Sequence, residues 1–270
     1  MLEPMKAAVI QLNADGDKKR NIERALGWVR RAAAEKAEFI LLPEMFNFRG
    51  RIVPRRGLID IAETFPGEST APLMAAARQY KAVILAGSIC EGVPGKRKVF
   101  NSSVLIDNRG NIVAKYRKTH LFSAVIGKTA INEARHFERG RKAVLARVGP
   151  WRIGMSICYD LRYPELYRAY AQAGANMLCV PSAFTRKTGQ AHWEVLLRAR
   201  AVENLCYVLA PNQTGKDSKG VASYGNSMIV SPWGEILARA SGSREEIIFA
   251  DLDQGEISRA QKTLPFQKKT

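Results

Sequence analysis

The segment WRIGMSICYDLRYPE, residues 151–165, places a cysteine between a strand pattern and a helix pattern. Apolar residues alternate with others up to residue 157, a period of two that predicts a strand with one buried face. The alternating residues are Trp151, Ile153, Met155 and Ile157. Pro164 suits the first turn of a helix that would end at Gly174. A strand, a thiol at its carboxyl end and a turn into a helix is the geometry that presents a nucleophile at the edge of a sheet.

The thiol in this segment, Cys158, is open to two interpretations. Free cysteines usually pack as small apolar groups, so the position alone favours a core residue over a nucleophile. The other three cysteines, Cys90, Cys179 and Cys206, form no CxxC pair with it or with one another. This arrangement fits reduced thiols in the cytoplasm and argues against a disulfide framework or a zinc site. The choice for Cys158 therefore depends on the rest of the chain.

The composition is that of a large globular protein, with 46% hydrophobic residues among 270. No apolar run reaches the ~18 residues of a membrane helix, and the amino terminus lacks the layout of a signal peptide. Lys and Arg number 42 against 25 Asp and Glu, a formal net charge of +17. These basic residues are scattered, with the densest groups at 49–56 and 96–98, and match no nucleic-acid-binding motif. We expect a cytoplasmic protein that binds neither nucleic acid nor membrane and whose charge attracts anionic substrates.

Strand and helix patterns alternate along the chain, and the second half repeats the first. The first half predicts strand 5–12, helix 18–36, strand 39–42, helix 70–80, strand 82–90 and a hairpin over 101–118. The second half predicts strands 142–148 and 151–157, helix 164–173, strand 176–180, helix 191–203, strand 205–210 and another hairpin. A last strand, 246–252, leads to a polar tail.

The two hairpins can be aligned with one another. Asn-Ser pairs at 101–102 and 226–227 open them, and residues 110–115 and 234–239 close them with one residue of slip. This similarity indicates an internal duplication. Two equivalent halves that share an interior predict an α/β fold, a four-layer α-β-β-α sandwich in a single domain over residues 1–270. The long polar loop 119–140 is a candidate functional segment.

Three residues in this framework could together hydrolyse an amide. Glu44 and Cys158 come just after predicted strands, and Lys118 ends a hairpin strand. A covalent route needs a nucleophile, a base and a donor for the developing oxyanion. Cys158 could attack once deprotonated, with a nearby ammonium favouring the thiolate, and Glu44 could move the proton. Lys118 and the backbone N–H of Tyr159 could hold the oxyanion.

Four segments carry a resemblance to a known family. They are LLPEMF (41–46), YRKTHLF (116–122), SICYDLRYPELYRAYAQAGANML (156–178) and PSAFTRKTGQAHWEVLLRARAVENLCYV (181–208). These segments resemble the nitrilase superfamily of carbon–nitrogen hydrolases, and within it the Nit branch that includes omega-amidase. The resemblance implies a Glu44–Lys118–Cys158 triad, with Glu133 positioning Lys118 and substrate. It also implies the α-β-β-α sandwich, a homodimer or larger homo-oligomer, and no metal or cofactor.

The resemblance also narrows the substrate. The sequence after the cysteine, Tyr159-Asp160-Leu-Arg162, resembles amidases of small carboxylated amides, whereas nitrilases usually carry Trp-Glu there. The resulting hypothesis is an omega-amide such as α-ketoglutaramate or deaminated glutathione. Arg162 is either a salt-bridge partner or a ligand for an anionic substrate, and Phe184 is either core or pocket wall. Gln190 departs from the Pro common in the family.

Three alternatives remain at this stage. A papain-like pair of Cys158 and His120 would keep the enzyme but change the base. An N-carbamoyl amino acid or an aliphatic nitrile would keep the triad but change the substrate. A non-catalytic binding or scaffold protein with this fold would not hydrolyse an amide.

Overall fold

The computed structural model describes residues 3–51, 57–126 and 129–265, so part of the basic stretch 49–56 and the end of the polar tail lie outside the described residues. The strands are β1 Met5–Gln11, β2 Phe39–Leu41, β3 Val83–Leu85, β4 Ile89–Glu91, β5 Val99–Ile106, β6 Ile112–Arg117, β7 Ser123–Ile126, β8 Thr129–Asn132, β9 Phe137–Glu138, β10 Val144–Val148, β11 Trp151–Met155, β12 Met177–Cys179, β13 Tyr207–Ala210, β14 Met228–Val230, β15 Ile236–Arg239 and β16 Glu246–Leu252. The α-helices are α1 Lys18–Ala34, α2 Ala71–Tyr80, α3 Pro164–Gln172, α4 Arg186–Asn204 and α5 Gln254–Thr263.

Two sheets share the same strand order and the same directions. The first runs β16-β1-β2-β3-β5-β6, with β4 and β9 also paired to β5, and the second runs β10-β11-β12-β13-β14-β15. Each begins with an antiparallel pair, continues with two parallel pairs and ends with two antiparallel pairs. The last pair of each also carries a register shift. The predicted duplication into two halves is therefore confirmed.

The side chains of the first sheet alternate between two environments, as the strand period requires. One set packs with residues of α1 and α2: Ala8, Ile10, Ile40, Leu42 and Ile84. The other set packs into a cluster shared with the second sheet: Ala7, Val9, Phe39, Leu41 and Leu85. On the far side of the second sheet, a Cβ at Gly154 would lie 2.7 Å from the Tyr170 ring in α3. The layers are therefore α1 and α2, first sheet, second sheet, then α3 and α4, which confirms the predicted α-β-β-α sandwich.

The predicted strand 82–90 is wrong in one respect, because it is two strands, β3 and β4. Gly87 lies between them with φ +47°, in the left-handed region. A Cβ there would lie 2.0 Å from the carbonyl oxygen of Pro43. Only glycine permits this turn and the close approach to the chain that leads to Glu44.

Three other predictions needed correction. Helix α4 begins five residues earlier than expected, at Arg186, because the side chain of Thr185 accepts a hydrogen bond from the N–H of Thr188 at its first turn. The segment described only as a polar tail contains α5, capped by Asp253. The loop 119–140 contains the β7–β8 hairpin and β9. No helix within the described ranges is long and apolar enough to span a membrane.

Candidate active site

The three candidate catalytic residues come from the ends of strands in different sheets. Glu44 follows β2 and Lys118 follows β6, both in the first sheet, whereas Cys158 follows β11 in the second. The sandwich brings these strand ends together at one edge. The Glu44 carboxylate acts on the Cys158 thiol and raises the pKa of that thiol. The ammonium of Lys118 lies 2.9 Å from Oε1 of that same carboxylate.

Glu133 completes the cluster from the 3-10 helix Glu133–Arg135 after β8. Its Oε1 lies 3.0 Å from Nζ of Lys118, and its Oε2 accepts a hydrogen bond of 2.8 Å from the backbone N–H of Phe122. Lys118 is only 1% exposed, so its charge is stabilised by two carboxylates instead of water. Asn101 on β5 donates from Nδ2 to Oε1 of Glu44 at 2.9 Å. The sequence predicted Glu133 but gave no signal for Asn101.

The backbone at Cys158 holds its side chain at the sheet edge. Its φ is +50°, in the left-handed region that a non-glycine residue rarely adopts. Its N–H donates to the carbonyl of Pro181 at 2.9 Å, which ties this turn to the end of β12. The backbone of Ala183 acts on the sulfur and lowers the pKa of the thiol. A strained turn between a strand and a helix is the arrangement the sequence predicted for a nucleophile.

Burial and neighbouring charges set the ionisation of this cluster. Burial raises the pKa of Cys158 well above its ordinary value, and the Glu44 carboxylate adds to this effect while Lys118 opposes it. Burial alone would lower the pKa of Lys118, but Glu133 and Glu44 outweigh it and hold that pKa well above the usual range. Burial also raises the pKa of Glu133, with Lys118 opposing. The resting site therefore contains a neutral thiol beside a permanent ammonium, whereas the sequence argument favoured a thiolate.

Asp160, fully buried, fixes the turn that carries Cys158. Its Oδ2 accepts hydrogen bonds from the hydroxyl of Tyr116 at 2.7 Å and the N–H of Ile157 at 2.9 Å. Its Oδ1 accepts from the backbone N–H of His120 at 2.9 Å. One carboxylate thus joins the end of β6 to the start of the 3-10 helix Cys158–Arg162, which sets Lys118 and Cys158 relative to each other.

The side chain of His120 contacts Asp160 and Tyr163. Its Nδ1 lies 2.7 Å from Oδ1 of Asp160, and its ring stacks on Tyr163 with the centroids 3.6 Å apart. The groups that shift the pKa of the Cys158 thiol are Glu44, Lys118 and the backbone of Ala183, and His120 is not among them. The geometry favours Glu44 over His120 as the base.

A cavity of about 690 Å³ opens onto these residues, and Glu44, Asn101, Glu133 and Cys158 all contribute to its wall. The three residues predicted to contact substrate line it as well. Tyr159 presents a half-buried ring, packed edge-on against Phe122 with centroids 5.0 Å apart. Phe184 is both wall and core, since its ring also packs against Trp193 at 4.8 Å.

Arg162 spans the two aromatic side chains of this wall. Its guanidinium lies 5.8 Å from the Tyr159 ring centroid and 5.5 Å from that of Phe184. Its Nη2 lies 3.2 Å from Nδ1 of His192. Within the described ranges it forms no ion pair with a carboxylate, which favours the substrate-ligand interpretation over the salt-bridge one.

Cations predominate around the cavity. Beside Arg162 the lining includes Arg49, Arg135, Arg186, Lys187 and Lys219, against the acidic residues Glu44, Glu133 and Asp217. Partial burial lowers the pKa of His136 on the same wall, and the neighbouring cations Lys219, Arg135 and Lys98 lower it further. The sequence did not single out Arg49, whose partners are remote in the chain. No group of three or more His, Cys, Asp or Glu residues able to hold a metal ion occurs in the described part of the chain.

Comparisons with known proteins identify the family of this chain. The carbon–nitrogen hydrolase family matches residues 6–262. Human omega-amidase NIT2 is 37% identical over 263 residues, which cover 96% of this chain and 92% of that protein. The crystal structure of the Caenorhabditis elegans NitFhit protein superposes with a TM-score of 0.90 at 36% identity, covering 97% of this chain and 64% of that one.

The crystal structure of Saccharomyces cerevisiae Nit3, a member of branch 10 of the nitrilase superfamily, gives a TM-score of 0.85 at 31% identity. That match covers 99% of this chain and 96% of Nit3. The family match spans both sheets and every residue of the cluster around Cys158. The chain therefore belongs to the carbon–nitrogen hydrolase family of the nitrilase superfamily and is a carbon–nitrogen hydrolase of the omega-amidase-like branch.

Proposed function

We propose that this enzyme hydrolyses the terminal amide of small carboxylated amides through a thioester on Cys158 and releases ammonia. The observation that carries the proposal is the buried cluster in which Glu44 contacts both the Cys158 thiol and the Lys118 ammonium at the wall of a cavity. The likeness to omega-amidase NIT2 supports the choice of amide.

In the first half of the reaction, Glu44 takes the thiol proton as the sulfur attacks the amide carbon. The carbonyl oxygen becomes an oxyanion, held by the ammonium of Lys118 and the backbone N–H of Tyr159. Glu44 then returns its proton to the amide nitrogen, the C–N bond breaks, and ammonia leaves a thioester on Cys158.

The second half repeats these transfers with water. Glu44 removes a proton from a water molecule as its oxygen attacks the thioester carbon. The same donors hold the second oxyanion. The C–S bond then breaks, Glu44 reprotonates the sulfur, and a carboxylic acid leaves. Lys118 keeps its charge throughout, because Glu133 stays beside it while Glu44 cycles between its two protonation states.

The charge of the cavity wall favours an anionic substrate. Its lining has more cations than anions, and Arg162 borders it without a carboxylate partner among the described residues. An omega-amide such as α-ketoglutaramate or deaminated glutathione offers both the scissile amide and a carboxylate for this surface. No cofactor takes part in the proposed route. A reducing compartment such as the cytoplasm suits it, since the nucleophile must remain a thiol.

We also expect a homodimer or larger homo-oligomer. Apolar side chains that remain exposed on α4 and around the β14–β15 turn support this: Val195, Val202, Trp233 and Leu237. Such a group of side chains is typical of a protein–protein interface.

The test compares kcat/KM on α-ketoglutaramate, deaminated glutathione, an N-carbamoyl amino acid and an aliphatic nitrile, with ammonia as the readout. Glu44→Gln and Cys158→Ala should each abolish turnover, whereas His120→Ala should retain a substantial part of it. A mass increase on Cys158 from trapped acyl-enzyme would support the thioester. A preference for the nitrile, an exchange of the Glu44 and His120 outcomes, or no reaction with any substrate would contradict the proposal.

A further inference from the structure

Arg49 is a buried cation that the catalytic scheme does not use. Its side chain is 9% exposed and lines the cavity together with Cys158 and Glu44. The backbone around it is fixed from two directions. Its N–H donates to the carbonyl of Asp15 at 2.7 Å, and its carbonyl accepts from the N–H of Ser218 at 3.3 Å. The guanidinium is therefore held in place before any ligand arrives.

The hydrogen bonds of this guanidinium are incomplete. Nη2 donates to Oγ of Ser223 at 2.9 Å, and its distance to Oδ2 of Asp217 is 3.8 Å, too long for a hydrogen bond. Nη1 is buried and has no acceptor among the described residues. The other oxygen of Asp217 already accepts from the N–H groups of Lys219 and Val221, both at 2.9 Å.

A second buried arginine shows what a complete set of contacts looks like in this protein. Nε and Nη2 of Arg200 both donate to the carbonyl of Leu161, at 3.0 and 2.8 Å. Its Nη1 donates to Oε1 of Glu203 at 2.8 Å. Buried donors are nearly always satisfied in this way, so the free Nη1 of Arg49 requires an explanation.

One more polar atom of the cavity wall lacks a partner. Asn101 uses its Nδ2 for Glu44, and its Oδ1 is buried without a donor among the described residues. Both residues line the cavity, and each has one buried polar atom without a partner among the described residues, an acceptor on Asn101 and a cationic donor on Arg49. A molecule with an amide N–H at one end and a carboxylate at the other would satisfy both.

We infer that Arg49 binds the substrate carboxylate and so selects carboxylated amides over uncharged ones. This inference rests on the proposed function, which it deepens by naming the specificity-determining residue. Nη1 donates to a carboxylate oxygen, and the planar guanidinium allows a second contact from the same ligand. The amide N–H of the substrate meets Oδ1 of Asn101, which directs the carbonyl carbon toward Cys158.

The test compares glutaramate with valeramide, in which a methyl group replaces the carboxylate. For Arg49→Met we expect kcat/KM on glutaramate to fall by about 10- to 100-fold, mainly through KM, because a charged hydrogen bond is lost from bound substrate. The value for valeramide should stay within about threefold. Arg49→Lys keeps the charge but loses the fork geometry and should lie between wild type and Arg49→Met. The matched control is Arg51→Met in the exposed part of the same loop. It should change kcat/KM for neither substrate by more than about twofold.

A turnover-independent measurement separates this inference from the proposed function. Glutarate should bind the wild-type enzyme in calorimetry and protect Cys158 from iodoacetamide, and Arg49→Met should abolish both effects. If the enzyme hydrolyses none of the amides but binds glutarate through Arg49, the proposed function fails and the inference stands.

Three results would overturn the inference. One is an equal decrease in kcat/KM for glutaramate and valeramide in both Arg49 variants, which would indicate that Arg49 has a structural role. The second is an unchanged preference for glutaramate in Arg49→Met. The third is a wild-type enzyme that does not bind glutarate.

Discussion

At the residue scale, the protonation state of Cys158 depends on two neighbours of opposite charge. Glu44 raises the pKa of the thiol and Lys118 lowers it, while burial raises it more than either. A thiol that is neutral at rest needs its base within hydrogen-bonding distance at the moment of attack. In the proposed mechanism, Glu44 beside the sulfur is that base.

These opposing effects predict that two substitutions shift the pKa of the Cys158 thiol in opposite directions. Removing the ammonium with Lys118→Met should move the pH dependence of Cys158 alkylation to higher pH than in the wild type. Removing the carboxylate charge with Glu44→Gln should move it to lower pH. The measurement is the rate of iodoacetamide modification, followed by mass spectrometry between about pH 6 and 10. Cys158→Ala provides the background from the buried Cys90, Cys179 and Cys206. A shift of both variants in the same direction would contradict this account.

Sequence patterns reveal residues whose role is tied to their own strand or motif. Glu44 follows a short apolar run and Cys158 follows an alternating pattern, and both patterns predict strands. Lys118 ends a hairpin strand. Arg49 and Asp160 are different, because their significance lies in partners far along the chain. Arg49 contacts Ser223, and Asp160 binds Tyr116. No local pattern records such pairs, so only the folded chain identifies them.

At the element scale, β6 must end at a fixed position to place Lys118. Glu91 on β4, which like β6 pairs with β5, anchors it. Its carboxylate accepts hydrogen bonds from Nζ of Lys115 at 2.6 Å, from Nε of Arg117 at 2.7 Å and from the hydroxyl of Ser102 at 2.7 Å. Arg117 immediately precedes Lys118, so this cluster holds the carboxyl end of β6 one residue before the ammonium that we propose to be catalytic.

The cluster makes stability depend on pH in a defined range. Burial would raise the pKa of Glu91, but its hydrogen bonds to Arg117, Lys115 and Ser102 lower it from 4.5 to about 2. A carboxylate with a lowered folded pKa stabilises the fold fully above its unfolded pKa, and that contribution is lost as the pH falls toward the folded value. Glu91→Gln should therefore be less stable than wild type by about 2 kcal/mol at pH 7, or roughly 4 °C in Tm.

Chemical denaturation at pH values from about 7 down to 3.5 checks this prediction. The difference in unfolding free energy between wild type and Glu91→Gln should be constant above pH ~4.5 and shrink below it. Glu23→Gln, on the exposed face of α1, is the matched control and should stay within about 0.5 kcal/mol of wild type. A difference that does not change with pH would show that the charge of Glu91 is not responsible.

The boundaries of elements were the least predictable part of the fold. The pattern over 82–90 is apolar throughout, and only the approach of Pro43 to Gly87 shows why the chain must turn there. Helix α5 does have a signal in the sequence, since Asp253 can cap it and Ile257 and Ala260 recur at helical spacing. The order of strands and helices was predictable because each pattern is local.

At the scale of the whole molecule, the candidate active site lies where the two sheets meet. Glu44 and Lys118 belong to the first sheet and Cys158 to the second, so neither half alone contains the cluster. Since the two sheets bury one shared core, we propose that residues 1–270 form a single domain. The duplication could be predicted from the aligned hairpins. The relative placement of the two sheets could not, because it depends on packing between distant side chains.

The charge of the molecule as a whole should affect how fast an anionic substrate is captured. The formal net charge is +17, and the cavity that contains Cys158 is lined mainly by cations. A positive potential around a cleft raises the local concentration of anions, and salt screens it over about 10 Å at 0.1 M and about 3 Å at 1 M. We therefore expect kcat/KM for glutaramate to fall roughly 3- to 10-fold between about 10 mM and 500 mM salt. The value for uncharged valeramide should hardly change, which makes it the control for general salt effects on the enzyme. An equal decrease for both substrates would mean that salt acts on the fold or on the buried cluster, since long-range attraction acts only on the charged substrate.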